Sequence, residues 1–161
     1  MRSHYLNILL RVIRAFDDYK VPYAVVGGYA VALHGAVRGT VDIDCIIEHK
    51  QSAFEACEKA LLSIGLVPRL PVSAREVFQF REEYIARRNL IEWSFYNPTN
   101  PIEVVDIIIT LNLVGLKTVK LRAGLEKIRV LSIADLIAMK RASGRPQDLE
   151  DVKMLESIDG K

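Results

Sequence analysis

The chain has only two cysteines and one tryptophan among its 161 residues, and its lysines and arginines outnumber its acids by just two. Cys45 and Cys57 form no metal-ligand spacing, which excludes a thiolate metal site, and both read as reduced core residues. A net charge of +2 excludes the global basic field of a bulk nucleic-acid binder and leaves the run Arg81 to Arg88 as a local patch. No apolar stretch reaches transmembrane length, and Arg2, His4, Asn7 and Arg11 interrupt the first apolar positions, so no signal-peptide core is recognised there. The expectation is a cytoplasmic chain with no membrane contact. Repeats, low-complexity tracts and long linkers are also missing.

What is present is ordinary for a folded chain: half the residues are hydrophobic and 26% are charged. The length suits a single domain over residues 1–161, with a core of about 20–112 and a C-terminal helical part of about 132–158. Leu6, Leu9, Leu10, Ile13 and Phe16 recur at helical spacing, which predicts an opening helix over 3–19 that ends before Pro22. Val21 to Val26 reads as a strand stopped by Gly27-Gly28, and Tyr29 to Leu33 as the helix that follows. Val41 to Glu48 is the next strand, and Gln51 to Ile64 an amphipathic helix closed by Gly65.

Beyond residue 65 the pattern changes. Val77 to Phe80 and Asn89 to Phe95 look strand-like, and a breaker at Asn97-Pro98-Thr99-Asn100-Pro101 precedes a strand over Ile102 to Thr110. Residues 112 to 127 carry no clear pattern. A short strand over Ile128 to Leu131 leads to Ser132, an N-cap with Asp135 three residues on, opening a helix over Ile133 to Arg141. Gly144-Arg145-Pro146 then separates a last helix over Gln147 to Ser157. The fold class is α/β (α+β): a mixed, partly antiparallel sheet of about five strands flanked by helices, with further helices at the C-terminus.

The chemistry concentrates on carboxylates. Asp42 and Asp44, two apart in a predicted strand, share one face with Cα atoms roughly 6–7 Å apart, so they can share a metal ion. Two like charges on a strand otherwise made of Val, Ile and Cys repel and resist desolvation unless a cation neutralises them. Asp106 is a third acid in an otherwise apolar strand; Glu103 is the competing choice, with the opposite strand parity. Gly27-Gly28 between a strand and a helix lets backbone approach a phosphate, although the dipeptide alone is only a turn. Its place one helix before the acidic strand suits a phosphate and a metal meeting at one site.

Val26-Gly27-Gly28 followed by Arg38-Gly39-Thr40-Val41-Asp42-Ile43-Asp44 resembles the signature of the nucleotidyltransferase superfamily related to DNA polymerase beta. Leu131 to Lys140 and Gly144 to Asp151 resemble the tail of small bacterial and archaeal members, among them the nucleotidyltransferase toxins of abortive-infection toxin-antitoxin systems. The resemblance implies a nucleotidyltransferase fold, with Asp42, Asp44 and Asp106 as catalytic metal ligands for Mg²⁺, or Mn²⁺, and Gly27 and Gly28 as phosphate contacts. Arg38, Thr40 and Lys140 would join the nucleotide site. A solvated Lys140, a surface Arg38, an Arg145–Asp148 pair at the inter-helix turn and a helix-end role for His34 are the plainer readings. Antibiotic nucleotidyltransferases are similar through Gly27-Gly28-Tyr29-Ala30, but Val31 stands where they typically carry an aspartate.

The implied activity is metal-dependent transfer of a nucleoside monophosphate from an NTP such as ATP to an acceptor, with release of pyrophosphate. The acceptor is a small molecule, tRNA or a protein, with Arg81, Arg87 and Arg88 available to an RNA. The alternative is a nucleotide-binding regulatory or toxin-antitoxin component acting on tRNA or a partner protein; the expected assembly is a homodimer or a complex with a cognate partner protein.

Overall fold

Apolar periodicity and its interruptions account for most of the elements. A computed structural model describes residues 2–37, 39 and 42–160, with side chains from Ile8 onward. Helix α1 (Arg2–Asp18) buries Leu9, Val12, Ile13 and Phe16 along one stripe. It closes at Lys20, in the left-handed region (φ 57°), where the Val21 N–H donates to the Phe16 carbonyl at 2.8 Å. Strand β1 (Tyr23–Val26) is buried throughout and passes directly into α2 (Gly27–Leu33). Strand β2 (Ile43–Ile47), helix α3 (Gln51–Ser63) and the two-residue strand β3 (Val67–Pro68) follow.

The next segment departs from the expectation. Residues 77–80 are not a strand: α4 spans Ala74–Gln79 and α5 spans Arg81–Arg88. The reason is a capping box in which the Ser73 hydroxyl accepts the Glu76 N–H (3.2 Å) and the Glu76 carboxylate accepts the Ser73 N–H (3.3 Å). Val-Phe-Gln-Phe satisfies two periodicities over so short a window, and the cap decides between them. Strands β4 (Glu92–Asn97) and β5 (Asn100–Ile108) form a hairpin across the Pro98-Thr99 breaker. The unpatterned stretch holds β6 (Thr118–Ala123), paired antiparallel with β7 (Glu126–Leu131). Helices α6 (Ile133–Ser143) and α7 (Pro146–Asp159) end the chain, and the Ser132 hydroxyl accepts the Asp135 N–H at 3.2 Å as its N-cap role requires.

The sheet has seven strands rather than about five, in the order β3-β4-β5-β2-β1-β7-β6. The two extra strands are its edges, and edge strands carry the weakest apolar pattern. At the centre, β2 runs antiparallel to β1 and parallel to β5. One face carries Ile43, Cys45, Val105, Ile107, Trp93 and Phe95, all buried, with Phe54 of α3 stacked on Trp93 at 5.7 Å. Both cysteines are free and buried, as expected. Helix α1 lies against α3, while α2 touches both β2 and α7. No helix among the described residues is long and apolar enough to cross a membrane.

Candidate active site

The alternation that buries Ile43, Cys45 and Ile107 turns Asp44 and Asp106 to the opposite face. The register makes these two acids direct partners: Asp44 lies opposite Asp106 across the parallel β2–β5 pair, about 5 Å apart along the sheet. Asp42 differs from its expected place, because β2 begins at Ile43. Asp42 sits at an exposed bend one residue before the strand rather than within it. Arg38 and Thr40, expected beside the nucleotide, lie outside the described residues.

Two neighbours complete the acidic face. Ser94 is the partner of Asp106 on β4, and its hydroxyl donates to Asp106 Oδ1 at 2.5 Å. Glu92, two residues earlier on the same strand face, is half-buried and lies within electrostatic reach of Asp106 and Asp42. Burial first, then the charges of Asp106, Glu92 and Asp42, push the Asp44 carboxyl up to about 8, against a small opposing pull from Lys140. Asp42 is raised by burial and by Asp106, with Arg69 opposing, and Glu92 by burial, Asp106 and Asp42, with Arg145 opposing. Burial and mutual repulsion thus raise three neighbouring carboxyls, a strain that positive charge nearby would relieve.

The glycine turn meets these acids. Val26 is the register partner of Asp44, and Gly27 has φ 68°. A Cβ at Gly27 would stand 2.9 Å from both Cβ and Cγ of Asp44, so conformation and space both require glycine. Val26 provides no side-chain cap to α2, and the first turn of that helix begins against the Asp44 carboxylate. Gly28 is buried in that turn.

Lys140 occupies a different setting from a solvated or ligand-facing lysine. It is buried, with its ammonium 2.9 Å from Asp151 and 3.4 Å from Asp148, which ties α6 to α7. Arg145 pairs with Asp148 through Nε (2.8 Å) and through its main-chain N–H (3.1 Å), the expected turn contact. Burial would raise Asp148, but the hydrogen bonds from Arg145 and Ser143 outweigh it and hold that carboxyl at about 2. The exposed guanidinium of Arg145 also lies within electrostatic reach of Glu92 and Asp44, so the turn faces the acids.

The competing residues have structural roles. Glu103 is held by Arg11 (3.2 Å) and Asn97 (2.8 Å), away from the acidic face as its parity requires. His34 Nε2 lies 2.9 Å from the Leu131 carbonyl and pins the end of α2 to β7. Arg81 donates to the Ile109 carbonyl at 3.1 Å, and Arg88 lies over the Tyr84 ring. Sequence reading overlooked Glu92 and Ser94. Their signal was the alternation Glu92-Trp93-Ser94-Phe95, two polar residues on one face of a strand whose other face is core.

All the candidate ligands are carboxylate oxygens, the donor set of a hard divalent cation such as Mg²⁺. Among the described residues, no three His, Cys, Asp or Glu side chains gather into a group that could hold a metal ion. The in-register pair Asp44 and Asp106 meets the lesser requirement of Mg²⁺, which is held by one or two carboxylates with water and substrate phosphates supplying the rest.

An open sheet with a glycine turn set against paired aspartates is the architecture of a nucleotidyltransferase fold, and known structures agree. The antibiotic-resistance factor ANT(2'')-Ia superposes with a TM-score of 0.67 at 12% identity, covering 96% of this chain and 84% of that one. The lincosamide antibiotic adenylyltransferase LnuA, bound to lincomycin, gives 0.62 at 18% identity over 94% and 96%. A Thermotoga maritima protein proposed to be a nucleotidyltransferase gives 0.64 at 17% identity over 100% and 96%. No curated protein matches by sequence. Residues 6–109 match the family described as nucleotidyltransferase of unknown function (DUF6036), and the chain belongs to that family.

Proposed function

We propose that the protein transfers a nucleoside monophosphate from an NTP to an acceptor hydroxyl or phosphate and releases pyrophosphate. The observation that carries this reading is the direct register of Asp44 and Asp106 with Gly27 pressed against Asp44. Asp44 and Asp106 would hold Mg²⁺ or Mn²⁺, with Asp42 at its bend adding negative charge within electrostatic reach of Asp106. Bound there, the ion would supply charge neutralisation for the triphosphate and the departing pyrophosphate.

The chain's own groups divide the remaining work. Gly27 and Gly28 let the main chain approach the phosphates, at the positive end of α2. Asp106, with one oxygen held by Ser94, would take the proton of an acceptor hydroxyl as it attacks the α-phosphorus. Arg145 stands where its charge reaches the acidic face, and Lys140 acts from its buried pair by orienting the α6–α7 turn rather than by touching phosphate. Such a site works by positioning and charge neutralisation.

The test is transfer of label from an α-³²P-labelled NTP panel in lysate and against tRNA, protein and small-molecule acceptors. Asp44→Asn is expected to abolish labelling and pyrophosphate release while the circular dichroism spectrum is kept. Undiminished transfer by that variant overturns the assignment. Mg²⁺-dependent NTP binding with no transfer to any acceptor favours a nucleotide-binding regulatory role instead.

A further inference from the structure

At the other end of the sheet lies a groove with a different character. It is a cavity of about 580 Å³, bounded by the end of α1, the start of β1 and the β6–β7 hairpin. Four cations line it, Lys20, Lys120, Lys127 and Arg129, against two acids, Asp17 and Glu126. The groove lining therefore carries a local excess of two positive charges. Glu126 is already engaged by Arg14 at 2.8 Å.

The hairpin register sharpens the point. Lys120 lies opposite Arg129 and Arg122 opposite Lys127, two like-charge pairs side by side on one face. Directly opposed like charges destabilise an antiparallel pair. Among the described residues none of these four cations takes part in an ion pair. Protection of an edge strand explains lysine and arginine on β6, but not Arg129 on β7, which lies between β6 and β1. Val25 pairs with Val130, so Arg129 and Lys127 lie back along β7, away from Gly27 and the acids.

We infer that this hairpin face and groove bind the sugar-phosphate backbone of a single-stranded nucleic acid. Cations on alternate residues of two adjacent strands form a grid with steps of about 5 and 6–7 Å, a charged track that follows a backbone rather than a single anion. The two arginines add planar donors that match phosphate oxygens. The site is separate from the acidic face and does not depend on nucleotide transfer.

The test is binding of short RNA and DNA single strands with hydroxyl ends, measured with EDTA present so that a metal-dependent triphosphate site does not contribute. Binding is expected to weaken with salt, log K falling with log salt by about 0.7 per phosphate contacted. The double variant Lys120→Glu, Lys127→Glu is expected to bind at least tenfold more weakly with a shallower salt slope. Because it turns two repulsive cross-strand pairs into attractive ones, its melting temperature should equal or exceed that of wild type. No binding at low salt, equal binding by the variant, or equal displacement by a poly-glutamate peptide of matched charge each overturns the inference.

Discussion

At the scale of single residues, Asp44 carries a raised carboxyl that links folding to pH. Its carboxyl is pushed up to about 8 from an ordinary value of 3.8, so between those values the folded state keeps a proton that the unfolded chain releases. The stabilising contribution is therefore full below about pH 4 and is lost as pH rises towards about 8. Asp42 and Glu92, raised for the same reasons, act in the same direction. Urea midpoints of the metal-free protein are expected to fall from pH 5 to pH 8, and to fall less in Asp44→Asn. Parallel pH profiles for the two proteins would show that Asp44 is not the group responsible. Added Mg²⁺ should restore part of the loss at pH 8, because a cation favours the ionised form.

At the scale of elements, local chemistry decides where the apolar pattern is ambiguous. Ser73 and Glu76 make α4 a helix although Val77 to Phe80 also alternates like a strand. Ser73→Ala is expected to cost about 1 kcal/mol in chemical denaturation. A change below a few tenths would mean that packing of Ala74 and Val77, both buried, forms the helix without its cap. The edge strand β6 shows the opposite weakness: Val119, Leu121 and Ala123 do alternate with Thr118, Lys120 and Arg122, yet only Ala123 is buried. A strand paired on one side leaves little apolar contrast to read. Asp42 illustrates the same limit, since the end of β2 is set by where pairing with β1 and β5 stops.

At the scale of the whole molecule, Lys140, Asp148 and Asp151 join α6 to α7 through a buried ion network at the rim of the acidic face. Removing only the cation leaves Asp151, fully buried, beside Asp148 without it. Lys140→Met, which keeps much of the volume, is expected to destabilise the fold by about 3 kcal/mol or more, read from urea unfolding. Stability within 1 kcal/mol of wild type would mean that the helix pair is held by its apolar contacts alone. Periodicity and punctuation in the sequence were enough for the order of the central elements, the Gly27-Gly28 turn and the strand positions of Asp44 and Asp106, because each is encoded within a few neighbouring residues. Glu92, Ser94 and the Lys140 network could not be assigned this way: their meaning depends on which strand or helix lies beside them. The like-charge pairs of the β6–β7 hairpin depend in the same way on cross-strand register. Register across strands and packing between helices bring together residues far apart in the chain, and that step belongs to the tertiary structure.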